Sequence, residues 1–139
     1  MKAKNMNQLN QMLLRQAQKA MNVVSEKALS DMYEETADFY TGGEPDKYIR
    51  TGALGDTPKT SPLNTVGNEV SFDAYLDTNH TYTTGKNPTM LDVLNLANNG
   101  ITSSSVGNLR PTVGKKEFWE RAEEKIEEDL KNTMGAFFN

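Results

Sequence analysis

The chain has 139 residues, with 15 basic and 19 acidic side chains, no cysteine and one histidine. That length predicts one domain, and an apolar share of 36% with a mean hydropathy of −0.68 is lean enough that part of its burial is expected against a partner. Without cysteine there is no disulfide or thiolate chemistry, without a run of roughly 20 apolar residues there is no membrane span, and a net charge of −4 does not suit counterion-displacing binding to nucleic acid.

The N-terminal residues hold lysines but no apolar stretch of signal type, so the chain reads as cytoplasmic when made. Residues 5–40 contain neither glycine nor proline, and Leu9, Leu13, Ala17, Ala20, Val24 and Ala28 recur at steps of three and four. The spacing predicts one long amphipathic helix, its stripe widened by Met6, Met12, Met21 and Met32. Methionines at this spacing are core filler in the plainer reading and an adaptable docking groove in the sharper one. Gly42, Gly43 and Pro45 then stop the helix.

At about 1.5 Å per residue such a helix is some 55 Å long, against a radius of gyration of about 14 Å for a compact domain of this size. It therefore overhangs its own domain or bends, and an overhanging amphipathic helix needs another chain to cover it. Its charge is also divided. Residues 1–25 carry Lys2, Lys4, Arg15 and Lys19 and no carboxylate, whereas residues 26–41 carry Glu26, Asp31, Glu34, Glu35 and Asp38 against Lys27. Both halves oppose the helix dipole. The plain reading is a solvated face; the sharper one is a pole-to-pole match between neighbouring copies.

The run Tyr48-Ile49-Arg50-Thr51-Gly52-Ala53-Leu54 follows the helix. Thr51-Gly52 permits a sharp turn, Ile49 and Leu54 are expected to anchor in the core, and Arg50 offers a planar donor fork to carboxylates or carbonyls. Gly55 to Pro58 reads as a turn. Residues 63–66 and 70–76 flank Gly67-Asn68, a tight-hairpin dipeptide. The second arm alternates Val70, Phe72, Ala74 and Leu76 with Ser71, Asp73, Tyr75 and Asp77. Pro58 and Pro62 mark the first arm as an edge.

Residues 78–88 form a polar loop. A short helix is predicted from Met90, Leu91, Val93, Leu94, Leu96 and Ala97, ending at Asn98-Asn99-Gly100. Residues 101–114 read as an exposed loop. A last helix carries the stripe Phe118, Ala122, Ile126 and Leu130 with Trp119 beside it, supported by Glu117–Arg121 and Glu127–Lys131 pairs and ending near Met134-Gly135.

The run at 48–54 resembles the Tyr-x-Arg-Thr-Gly-x-Leu signature of the tail-completion or head–tail joining (neck) proteins of long-tailed phages. Phe118-Trp119-Glu120-Arg121-Ala122-Glu123-Glu124 is similar to that family's aromatic entry into its last helix. The order of helix, signature, hairpin, loop and acidic closing helix extends the likeness over most of the chain. Arg110-Pro111 stands several residues before Phe118, a departure from the family's Arg-Pro-Phe-like segment that leaves the strand pairing of residues 100–113 open.

Groups arranged for catalysis are looked for and not found. His80 is a lone loop histidine, metal-ligand spacings of the His-x-x-x-His or Cys-x-x-Cys type are absent, and Gly52-Ala53-Leu54-Gly55 lacks the ending of a phosphate loop. Asp73 and Asp77 share a strand face at too wide a spacing for a carboxylate dyad. Glu123-Glu124 and Glu127-Glu128-Asp129 read as a solvated helix face or, more sharply, an acidic docking surface. Asn79-His80-Thr81 fits a glycosylation sequon only by chance. No enzyme, cofactor or metal is expected.

The expected fold is α+β: a small, mostly antiparallel sheet packed with a long N-terminal helix over 1–41 and a C-terminal helix over 115–139, joined by residues 42–114 in one domain. The resemblance implies a virion protein that completes the tail and joins it to the head or neck. The partners it implies are further copies in a ring, commonly a hexamer, with tail-tube and connector proteins. The candidate subunit-interface residues are Tyr48, Arg50, Thr51, Gly52, Leu54, Glu34, Glu35, Phe137 and Phe138. The alternative is a cytoplasmic binding module or regulator whose likeness to phage proteins is accidental, with a small enzyme lacking recognisable motifs as a weaker third reading.

Overall fold

A computed structural model describes residues 3–42, 53–79, 90–99 and 116–138. Helix α1 runs unbroken over Met6–Phe39. Asn5 caps it from an extended backbone, its side chain accepting the Gln8 amide at 2.9 Å, while Gln8 Oε1 accepts the Lys4 amide at 2.8 Å. Its first turn has no acid and its last no base, so the dipole is uncompensated as the charge division implied. A 3-10 turn at Tyr40–Gly42 closes it.

Helix α3, Phe118–Phe138, lies antiparallel against α1. Arg121 meets Glu35 at one end, Lys27 Nζ reaches Thr133 Oγ1 midway, and Gln16 Nε2 donates to the Phe137 carbonyl at 3.0 Å at the other. The seam thus covers residues 16–35 of α1, where Ala20, Val24, Ala28 and Met32 are buried. Residues 6–15 run on for about 15 Å at the helical rise. Their apolar stripe continues more exposed: Met6 is 70% exposed, Leu13 47% and Leu9 37%, while Met12 and Leu14 are partly buried.

α3 does not end near Met134-Gly135 but continues to Phe138. A glycine inside a helix costs about 1 kcal/mol relative to alanine; here the next residues are held by the Gln16 contact to Phe137. Glu117, just before the helix, has a φ of 63°.

The β structure also departs from expectation. β2, Asn64–Val66, and β3, Glu69–Ser71, form the predicted hairpin about Gly67-Asn68, with Gly67 at φ 58°. The second arm is not one strand, because it breaks at Phe72-Asp73 and resumes as β4, Ala74–Leu76. β4 pairs with β1, Pro58–Thr60, in a segment whose start was expected to be a turn; the turn is instead a 3-10 segment at Ala53–Asp56. Thr60 faces Ala74 and Asn64 faces Ser71, so residues 61–63 oppose only 72–73. The extra residue falls at Pro62, which has no amide to contribute to a ladder. Ser61 bridges the break, its amide donating to the Asp73 carbonyl and its Oγ accepting the Asp73 amide at 2.7 Å. The predicted alternation survives: Val70, Phe72, Ala74 and Leu76 are partly buried, while Ser71, Asp73 and Tyr75 are exposed.

Helix α2, Met90–Asn99, falls where the sequence placed it. The core joins Phe39 of α1, Leu54, Met90, Leu94 and Ala97 of α2, and Phe118 of α3. Phe39 meets Phe118 edge to face with ring centroids 6.0 Å apart. Phe118, 1% exposed, is thus the buried aromatic of the last helix, and Trp119 packs at the core's margin. Met32 and Met90 are core filler. The architecture is α+β, with two long helices packed beside a small antiparallel ribbon.

Candidate assembly surface

The candidate interface residues fall into three groups. Tyr48, Arg50, Thr51 and Gly52 lie outside the described residues. Leu54, which ends the same motif, is buried in the core, and the following turn is tied down by Thr57 Oγ1 donating to the Leu54 carbonyl at 2.6 Å. Phe137 is half-buried, and Phe138 is 46% exposed at the end of α3.

Glu34 and Glu35 stand one residue apart and differ sharply. Glu34 is exposed, and its Oε1 meets Lys125 Nζ at 3.1 Å. Glu35 is buried against α3, with Oε1 2.7 Å from Arg121 Nε and Oε2 2.7 Å from Lys125 Nζ. Burial pushes its carboxyl up, but hydrogen bonds from Lys125 and Arg121 outweigh that and hold it below its ordinary range. The hydrogen bond to Glu35 raises Lys125, against the pull of burial and with help from Glu34. Both oxygens of Glu35 are therefore engaged within its own chain. Arg121 takes Glu35 across the seam rather than Glu117 one turn away.

These contacts bear on the charge division of α1, whose acidic half is partly engaged within its own chain. Much of its acidic half is spent on α3: Glu35 and Glu34 meet Lys125 and Arg121, and Asp31 faces Asp129. Burial and then the neighbouring Asp129 carboxyl push Asp31 up to about 7. Its Oδ2 is buried without a hydrogen-bond partner among the described residues. The basic half is different: Lys4, Arg15 and Lys19 are exposed, alongside the exposed Met6, Leu9 and Leu13.

The sequence reading missed the cations of the seam. Their signal was present, since Arg121 and Lys125 lie four residues apart beside Phe118 and Ala122, on the helix edge that flanks the buried stripe. It also missed a groove of about 250 Å³ between β4, α2 and the start of α3, lined by Tyr75, Leu76, Leu91, Leu94 and Trp119.

Among the described residues there is no group of three or more acidic or histidine side chains placed to hold a metal ion, and no helix long and apolar enough to cross a membrane. What the geometry presents is contact surface. One end of the α1–α3 pair carries exposed Met6, Leu9, Leu13 and Phe138. The outer face of α3 carries exposed Glu123, Glu124, Glu127 and Glu128.

A family model designated YomN matches residues 5–137, and the chain belongs to that family, which is phage-related. No curated protein and no solved structure gives a significant match.

Proposed function

Proceeding from that family membership, we propose that the chain is a structural component of a phage or prophage particle. In this reading it completes the tail and joins it to the head or neck through contacts repeated around a ring. The observation that carries it is the exposed apolar side chains at the N-terminal end of α1. A phage-related chain that exposes Met6, Leu9 and Leu13 has a helical arm suited to a second copy. Ring closure requires two different patches of one subunit to meet, and weak contacts gain strength by repetition. The basic arm of α1 and the acidic outer face of α3 are two such patches.

Tyr48, Arg50, Thr51 and Gly52 are assigned to the same subunit contact, with Arg50 as its donor fork. The further partners are tail-tube and connector proteins. Copies reside in the neck or tail of the particle and, before assembly, in the host cytoplasm.

The test is a deletion of the coding sequence in the phage or prophage that carries it. Heads and tails that accumulate unjoined, with the chain present in wild-type particles by mass spectrometry, are expected. Normal particles from the deletion, or a chain found only free in the lysate, overturn the reading and favour a cytoplasmic binding module.

A further inference from the structure

Two acidic side chains meet in the seam where the other acids are matched by cations. Asp31 lies one turn before Glu35 on α1, and Asp129 lies one turn after Lys125 on α3. Because the helices are antiparallel, these offsets bring Asp31 and Asp129 together one turn along from the Glu35–Lys125 pair. Asp31 Oδ2 has no hydrogen-bond partner among the described residues and is shut off from solvent. A buried carboxylate oxygen with neither partner nor water is costly, whereas a carboxylic acid in its place can donate to the facing carboxylate. Asp129 and Lys125 from α3 and Glu34 from α1 are the charged groups acting on Asp31. Lys125 is the only cation of the three, and it is already held by Glu34 and Glu35 at 3.1 and 2.7 Å; Lys27, one turn before Asp31, is directed to Thr133 Oγ1 at 3.4 Å, one turn beyond Asp129.

We propose that Asp31 and Asp129 share one proton across the α1–α3 seam, as a latch that is tight while the proton is held and loosens when it is released to solvent. The loosened state places two like charges between the helices and weakens the cover over Ala28 and Met32. The window follows from the carboxyl being raised from 3.8 to about 7. The folded state keeps a proton that the unfolded chain has lost over that range, so stability falls as pH rises through it and levels off above. Glu35 is held below its ordinary range and Lys125 is raised above its own, so both lie outside this window.

The inference is independent of any role in a virion, and it is tested on the full chain. Thermal melts are recorded at pH 5, 6, 7 and 8 for wild type, Asp31→Asn and Asp129→Asn. Wild type is expected to lose about 5 °C or more between pH 5 and pH 8, and each variant to lose most of that slope. Every other titratable group is common to the three chains, so the difference in slope isolates the pair. A carboxyl NMR titration of carbon-labelled aspartate supplies a direct readout. One aspartate of the wild type should titrate near neutrality, and its midpoint should fall in Asp129→Asn. A flat wild-type profile, a slope retained by both variants, or no aspartate titrating above the ordinary range overturns the latch. If Asp31→Asn does not fold, Asp129→Asn and the wild-type titration still decide.

Discussion

Asn98 and Glu120 stand 22 residues apart in sequence, yet Asn98 Nδ2 donates to both carboxylate oxygens of Glu120 at 3.0 Å. In the same place Asn98 Oδ1 accepts the Trp119 amide at 2.9 Å, and its backbone carbonyl accepts the Glu117 amide at 2.8 Å. An isolated helix leaves its first amides without partners. Glu117 is in the left-handed region and does not present an ordinary cap, so the last turn of α2 supplies one from outside. Asn98→Ala should cost about 1–2 kcal/mol in urea denaturation. Asn98→Asp keeps an acceptor for Trp119 but sets a carboxylate against Glu120, and Glu120→Gln on that background should recover part of the loss. If Asn98→Ala melts like wild type, the cap is not a stability determinant.

Phe118 and Trp119 are adjacent but not equivalent. Phe118→Ala empties a position packed against Phe39 and should cost about 3–5 kcal/mol. Trp119 borders the open groove, so Trp119→Ala should cost well under that, about 1–2 kcal/mol. Equal losses in chemical denaturation would contradict the burial difference.

Glu35→Gln removes two charge-assisted contacts from a buried site and leaves Arg121 and Lys125 facing an uncharged amide. The expected loss at pH 7 is about 1–3 kcal/mol, set below the cost for a fully buried pair because both cations are partly exposed. The sign with pH is also fixed. Glu35 is depressed in the folded state, so its contribution is present above the ordinary carboxyl range and is lost as pH falls through the folded value. The variant should therefore show a shallower acid limb than wild type below about pH 4.5. Identical acid limbs would mean the ion pair does not contribute.

Leu9→Glu combined with Leu13→Glu alters only the exposed arm of α1. Self-association measured by sedimentation should fall at least tenfold, while the melting temperature of the diluted chain stays close to wild type. Arg50→Ala is expected to behave in the same way. A variant that associates like wild type removes its side chain from the proposed subunit contact.

The helices were legible because their signals are local and repeated. A stripe at steps of three and four, Asn5 before it and glycines after it place α1 to within a few residues. The hairpin turn was legible from Gly67-Asn68, and the alternation of the second arm from its side chains. The pairing of β1 with β4 was not, because three residues beginning with proline carry little strand signal and gain their partner only from the chain's return. The end of α3 was misplaced for a similar reason. Gly135 argues locally for a stop, and the contact with Gln16 that favours continuation comes from 121 residues away. Glu35 read as a candidate for a contact between subunits, since nothing within α1 announces that Arg121 and Lys125 of the same chain will arrive beside it.

Those separations shape how the molecule must fold. α1 is synthesised first, and its buried stripe is completed by α3 through contacts such as Glu35–Arg121, which span 86 residues. Closing a loop of that length carries an entropic cost before any contact rewards it. Throughout translation of the intervening residues, Ala20, Val24, Ala28 and Met32 form an apolar strip that lacks the cover α3 will give it. The nascent protein is therefore open to premature pairing with a neighbouring chain on the same message until α3 has left the ribosome.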